Sequence, residues 1–91
     1  MGNSVETNEV VRALACYLRL NPHASDTTDG IRLWWFDRES EVSMDLLLPA
    51  LAWMVEHRLV EAVPALDGHL RYRRTASDLQ IDALLQGRFG A

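Results

Sequence analysis

Ala50-Leu51-Ala52-Trp53-Met54-Val55-Glu56-His57-Arg58-Leu59-Val60-Glu61 and, a little further on, Asp67-Gly68-His69-Leu70-Arg71-Tyr72-Arg73 are the two stretches that decide the fold. The first closes a helix that begins near Ser43, where a hydroxyl is placed to cap and Asp45 complements the positive end of the helix dipole. Apolar spacing predicts that this third helix runs to about His57 or Arg58. Pro49 lies too deep for a first turn and costs one backbone hydrogen bond there. The alternative is an irregular turn followed by a helix starting at Leu48 or Pro49. Leu59–Ala65 and His69–Thr75 then read as two strands around Asp67-Gly68, a strong hairpin signal. The second strand alternates, with Leu70 and Tyr72 on one face and His69, Arg71 and Arg73 on the other. Pro64 puts the first strand at an edge or a bulge.

Upstream, a first helix starts within Ser4–Asn8 and runs to Leu20, carrying Val10, Val11, Leu14, Cys16, Tyr17 and Leu18 at helical spacing. Asn21-Pro22 stops it, because the residue before proline avoids the α region. Cys16 reads as a small buried thiol. A second helix is capped by Asp26 or Thr27, with Asp29 in its first turn, and carries Ile31, Leu33, Trp34, Trp35 and Phe36. Adjacent Trp34 and Trp35 point about 100° apart, so one is core and the other an edge. Gly30 costs this helix about 1 kcal/mol against Ala. Close approach of another backbone is the expected reason for it. Asp37 to Val42 is a charged, turn-like link. Ser77 or Asp78 opens a short last helix with Leu79, Ile81, Leu84 and Leu85, ended by Gly87. Nothing repeats, so residues 1–91 are expected to form one α+β, mostly helical domain: a three-helix core, a β-hairpin and a short C-terminal helix.

Composition narrows the chemistry. All nine basic residues are Arg, opposed by thirteen acids, for a net charge of −4. On average such a surface repels polyanions, the reverse of a nucleic-acid binder's usual field. A lone Cys16 excludes an internal disulfide. His23, His57 and His69 are widely spread and no pair has a metal-ligand spacing, so neither metal nor cofactor is expected. No phosphate loop or nucleophile elbow occurs, and no catalytic residue is singled out; an enzyme is not expected. No apolar run reaches a membrane span, and the N-terminus fits neither a signal peptide nor a myristoylation site, which makes the cytoplasm the expected location.

Helix, helix, helix, hairpin, helix is the order of a winged helix-turn-helix domain. The two stretches quoted at the outset resemble the recognition helix and wing of bacterial winged-helix repressors. In those proteins the helix ends in an Ala-Leu-x-x-Leu-Val-x-x-Gly-Leu-Leu-Glu pattern, and a wing with Asp-Gly at its tip and a Tyr-Arg strand follows. The resemblance covers about a third of the chain closely and the rest in helix order. Arg58 departs from it, standing where the family places the C-cap Gly, and Arg tolerates the left-handed conformation less well. The segment from Asp26-Thr27 through Gly30-Ile31 to Trp34-Trp35 is unlike the second helix of those repressors. The resemblance implies DNA binding, with base contacts from the exposed side of the third helix and phosphate contacts from the wing.

Residue types test that implication. Rotated at about 100° per residue, Met44, Leu47, Leu48, Leu51, Met54 and Val55 cluster on a core side, and Asp45, Leu46, Pro49, Trp53 and Glu56 on the opposite side. Base readout needs Arg, Asn or Gln at base edges, and the outer side has none. Leu46, Pro49 and Trp53 instead form an apolar stripe. On an exposed face this is a partner-binding surface for another protein or for a homodimer, with Trp53 as its hot spot. The alternative is that the last helix or Phe89 covers it. The wing is more basic: residues 58–74 sum to +2, and Arg71, Arg73 and Arg74 are candidate phosphate contacts. Residues 1–42 carry −3 and residues 43–91 carry −1, so any polyanion contact is confined to the hairpin. The expected function is that of a non-enzymatic regulatory or adaptor module acting by protein contact. The alternative is a DNA-binding transcriptional regulator holding phosphates with its wing.

Overall fold

The computed structural model describes residues 5–36 and 42–87. Helix α1 (Val5–Leu20) buries Val10, Val11, Leu14, Ala15 and Leu18 along one face, the spacing that a 3.6-residue turn requires. Cys16 falls about 100° beyond Ala15 and is exposed, which corrects the expectation of a buried thiol. The helix ends before Asn21-Pro22, where the Asn21 amide and side chain both donate to the Tyr17 carbonyl, at 2.8 and 3.0 Å.

A two-residue strand, β1 (Ser25–Asp26), precedes α2 (Thr28–Trp34). It is too short to show alternation, which is why pattern reading passes over it. Thr27 caps α2 by accepting from the Gly30 amide at 3.2 Å, and the Thr27 amide donates to Asp26 Oδ1 at 2.9 Å. A Cβ built on Gly30 would overlap the Asp26 carboxylate, so the close approach there is to a side chain rather than to a backbone. Ile31 and Trp35 enter the core, Trp35 stacking on Tyr17 with centroids 4.8 Å apart, while Trp34 is 71% exposed. The link expected from Asp37 to Val42 lies outside the described residues up to position 41; Val42 packs against the core.

Helix α3 (Met44–Glu56) starts directly after Ser43, not at Leu48 or Pro49, and carries Pro49 inside it on the exposed side. Ser43 is its N-cap residue without a side-chain capping bond. Its C-terminus closes in a Schellman arrangement: the Leu59 amide reaches the Met54 carbonyl at 2.8 Å and the Arg58 amide reaches that of Val55 at 3.0 Å. Arg58 adopts φ 60°, the left-handed position that favours glycine, and both Met54 and Leu59 are buried beneath it.

Strands β2 (Val60–Pro64) and β3 (Leu70–Arg74) pair antiparallel from Val60↔Arg74 to Pro64↔Leu70, and β1 adds to the other side of β3 through Ser25↔Arg73. The order is β1-β3-β2, which leaves Pro64 on an edge strand where a missing N–H is tolerated. The Gly68 amide closes the turn onto Ala65 at 3.0 Å, and Gly68 supplies the positive φ. Helix α4 (Asp78–Leu85) opens with a capping box in which Ser77 and Gln80 bond reciprocally. It buries Ile81 and Leu84 and leaves Leu79 exposed. The architecture is thus α+β and mostly helical, four helices with one three-stranded antiparallel sheet around a core from α1, α2, α3 and α4. No helix among the described residues is long and apolar enough to cross a membrane.

Candidate functional site

The hairpin arginines differ sharply from one another. Arg74, whose side chain is only 9% exposed, donates to the Ala76 carbonyl at 2.6 Å, to the Leu18 carbonyl at 3.2 Å, and to Asp78. It closes a free carbonyl in the last turn of α1 and ties β3 to the start of α4. As a phosphate contact Arg74 is therefore corrected: its donors point into the protein. Arg73 lies on the outer face of the sheet but pairs with Glu61 across the strands at 2.8 Å. Arg71 is exposed on that same face and makes no ion pair among the described residues. Of the three expected phosphate contacts, Arg74 is turned inward, Arg73 is exposed but paired with Glu61, and Arg71 is exposed without an ion pair among the described residues.

Other arginines join α1 to α4. Arg12 donates to the Leu85 carbonyl at 2.6 Å and so caps the C-terminus of α4. Arg19 bonds Asp82 at 2.9 Å and reaches Asp78 at 3.4 Å. The hydrogen bond from Arg74 holds the Asp78 carboxyl below its ordinary range against the opposing effect of burial, with the charges of Arg19 and Arg74 each adding a smaller lowering. Asp82 in turn raises Arg19, with Asp78 adding to the effect.

The outer side of α3 has the opposite character. Leu47, Ala50, Leu51 and Met54 are buried, which sets the inward direction of the helix. Leu48 and Val55, expected in the core, flank that set and stand 47% and 38% exposed. Leu46 and Trp53, expected on the outer stripe, lie on the other flank and pack half-buried against the core. Trp53 also stacks on His57 with centroids 3.9 Å apart, and His57 Nδ1 lies 2.9 Å from the Trp53 carbonyl. Pro49 alone of the expected stripe is exposed. The apolar surface is consequently Leu48, Pro49, Ala52 and Val55, bounded by exposed Asp45 and Glu56. Ala50 is fully buried, and including it turns the inward direction away from Leu48 and Val55.

Val55 also borders an open groove of about 580 Å³ with Arg58, Val60, Glu61, Ala62, Thr75 and Gln80. It extends the apolar surface from α3 onto the edge strand. On the other side of the hairpin, a cleft of about 340 Å³ is lined by Thr27, Thr28, Asp29, Gly68, His69, Leu70 and Tyr72. Among the described residues, no group of three His, Cys, Asp or Glu is arranged to hold a metal ion. Phe89, the other expected cover of α3, lies outside the described residues. No protein-family model, curated protein or solved structure matches the chain.

Proposed function

We propose that this chain is a winged-helix-type regulatory or adaptor module that works by docking another protein chain on the outer side of α3. The element order α1-β1-α2-α3-β2-β3-α4 and the strand order β1-β3-β2 support the winged-helix part of the reading. The observation that carries the functional part is the outer side of α3 itself. Leu48, Pro49, Ala52 and Val55 are exposed there, and no Arg, Lys, Asn, Gln, Ser or Thr occurs anywhere from Met44 to Glu56. Such a helix has no side chain for bidentate base contacts, and its exposed acids, Asp45 and Glu56, oppose phosphates. Arg74 is turned into the protein and Arg73 is paired at the surface with Glu61, which lessens the support that the hairpin offers a polyanion and leaves Arg71 as its exposed, unpaired arginine among the described residues.

Titration of a labelled random-sequence duplex with the full chain at low salt tests this reading. The expected result is no saturable binding up to about 100 µM, at the weak limit of ordinary non-specific DNA affinity. Tight binding that falls steeply with salt, and that Arg71→Ala flattens, would overturn it.

A further inference from the structure

We infer that the partner docked on α3 is a second copy of this chain, with the two α3 helices antiparallel about a twofold axis beside Ala52. The inference rests on the protein-docking reading and gives the docked chain an identity. Its basis is the order of side chains along the exposed stripe. Asp45 stands at one end, Leu48, Ala52 and Val55 follow at helical spacing, and Arg58 stands just beyond the other end. Asp45 and Arg58 are both exposed, and neither forms an ion pair among the described residues.

An isologous contact brings the same surface together from both copies. With the axis between positions 51 and 52, Leu48 falls opposite Val55 of the second copy, and Asp45 falls opposite Arg58 of the second copy. Twofold symmetry makes each contact twice. Ala52, the small exposed residue near the axis, lets the two helices approach closely. The parallel arrangement fails on charge, because it sets Asp45 against Asp45 and Glu56 against Glu56. Antiparallel docking leaves Glu56 facing no acid. The groove bordered by Val55, Arg58, Val60 and Ala62 gives the Leu48 side chain of the second copy an apolar wall at each end of the contact. One short helix and part of an edge strand bury less than a standard interface, so the expected dimer is weak, with Kd on the order of 10 µM.

Sedimentation equilibrium of the full chain across a concentration series through about 10–500 µM tests the inference. The expected mass rises from one chain, 10.3 kDa, towards twice that value. Asp45→Arg and Arg58→Asp should each weaken the dimer roughly fivefold or more, by placing like charges opposite one another. Combining them restores opposite charges, so the double variant should return to within about twofold of the starting affinity. Asp keeps reasonable access to the left-handed conformation at position 58, and circular dichroism checks that each variant is folded. Leu48→Asp is a second route, expected to abolish the dimer while leaving the monomer folded. A mass that stays at one chain throughout, or a dimer that neither charge variant weakens, overturns the inference. A monomer that ignores duplex DNA removes only the second copy, whereas salt-steep DNA binding dependent on Arg71 removes the docking reading itself.

Discussion

The hairpin with its α1–α4 junction and the outer side of α3 present opposite cases of how residue type relates to availability. In the first region charged side chains look free in the sequence and are committed in the fold. Arg74 closes the end of α1, Arg12 closes the end of α4, and Arg73 is held by Glu61. In the second, apolar side chains look committed to a core and are free: Leu48 and Val55 face outward beside Ala52. Helix ends explain the first case, since their unpaired carbonyls draw cationic donors from elsewhere in the chain. Buried alanines explain the second, because a core lined by Ala15 and Ala50 takes a helix closely and turns its larger neighbours outward.

Substitutions at matched positions sharpen the contrast. The largest effect is expected at the adjacent tryptophans. Trp35→Ala should cost about 4 kcal/mol in urea unfolding, having emptied a buried site stacked on Tyr17. Trp34→Ala should stay within about 0.5 kcal/mol. Next comes Arg74→Met, which leaves the Leu18 and Ala76 carbonyls without their donor and should cost about 2–3 kcal/mol. Arg71→Ala, three residues earlier on the same strand, should cost less than about 0.5 kcal/mol. If the two arginine variants lose the same stability, the distinction between committed and open arginines collapses. Arg58→Gly should act in the other direction, raising stability by about 1 kcal/mol by relieving a left-handed non-glycine residue.

Acid provides a gentler test of the junction. Asp78 has a folded pKa lowered by Arg74, so its contribution is complete above the ordinary carboxyl value of 3.8 and is lost as pH falls through the lower folded value. Unfolding midpoints measured down through this range should fall more for the parent chain than for Asp78→Asn. Equal slopes would show that the pair with Arg74 does not distinguish the folded from the unfolded carboxyl.

Much of the architecture was legible because it rests on local signals. Asn21-Pro22 ends α1, Thr27 and Ser77 cap α2 and α4, and Asp67-Gly68 turns the hairpin. Arg58 stands where the resemblance places a C-cap glycine, and its residue type argues against a left-handed conformation there; the fold imposes the positive φ all the same. The two-residue strand β1 was not legible, since its pairing depends on β3 nearly fifty positions away. The candidate surface was half legible. That α3 lacks base-reading side chains follows from its sequence, but which apolar residues face outward depends on how α1 and α2 pack against it. Pro49 kept its expected place; Leu46 and Trp53 did not, and Leu48 and Val55 replaced them. In the hairpin, which arginine is open depends on Glu61, Asp78 and the Leu18 carbonyl, partners set by tertiary structure.

A photo-crosslinking side chain placed at position 52, and in a separate variant at position 71, contrasts the two regions most directly. Each purified variant is irradiated alone and with duplex DNA, and the products are weighed by mass spectrometry. Position 52 is expected to give a covalent product of two chains, and position 71 no product with DNA. A chain that crosslinks to DNA from position 71, and to nothing from position 52, would contradict the account.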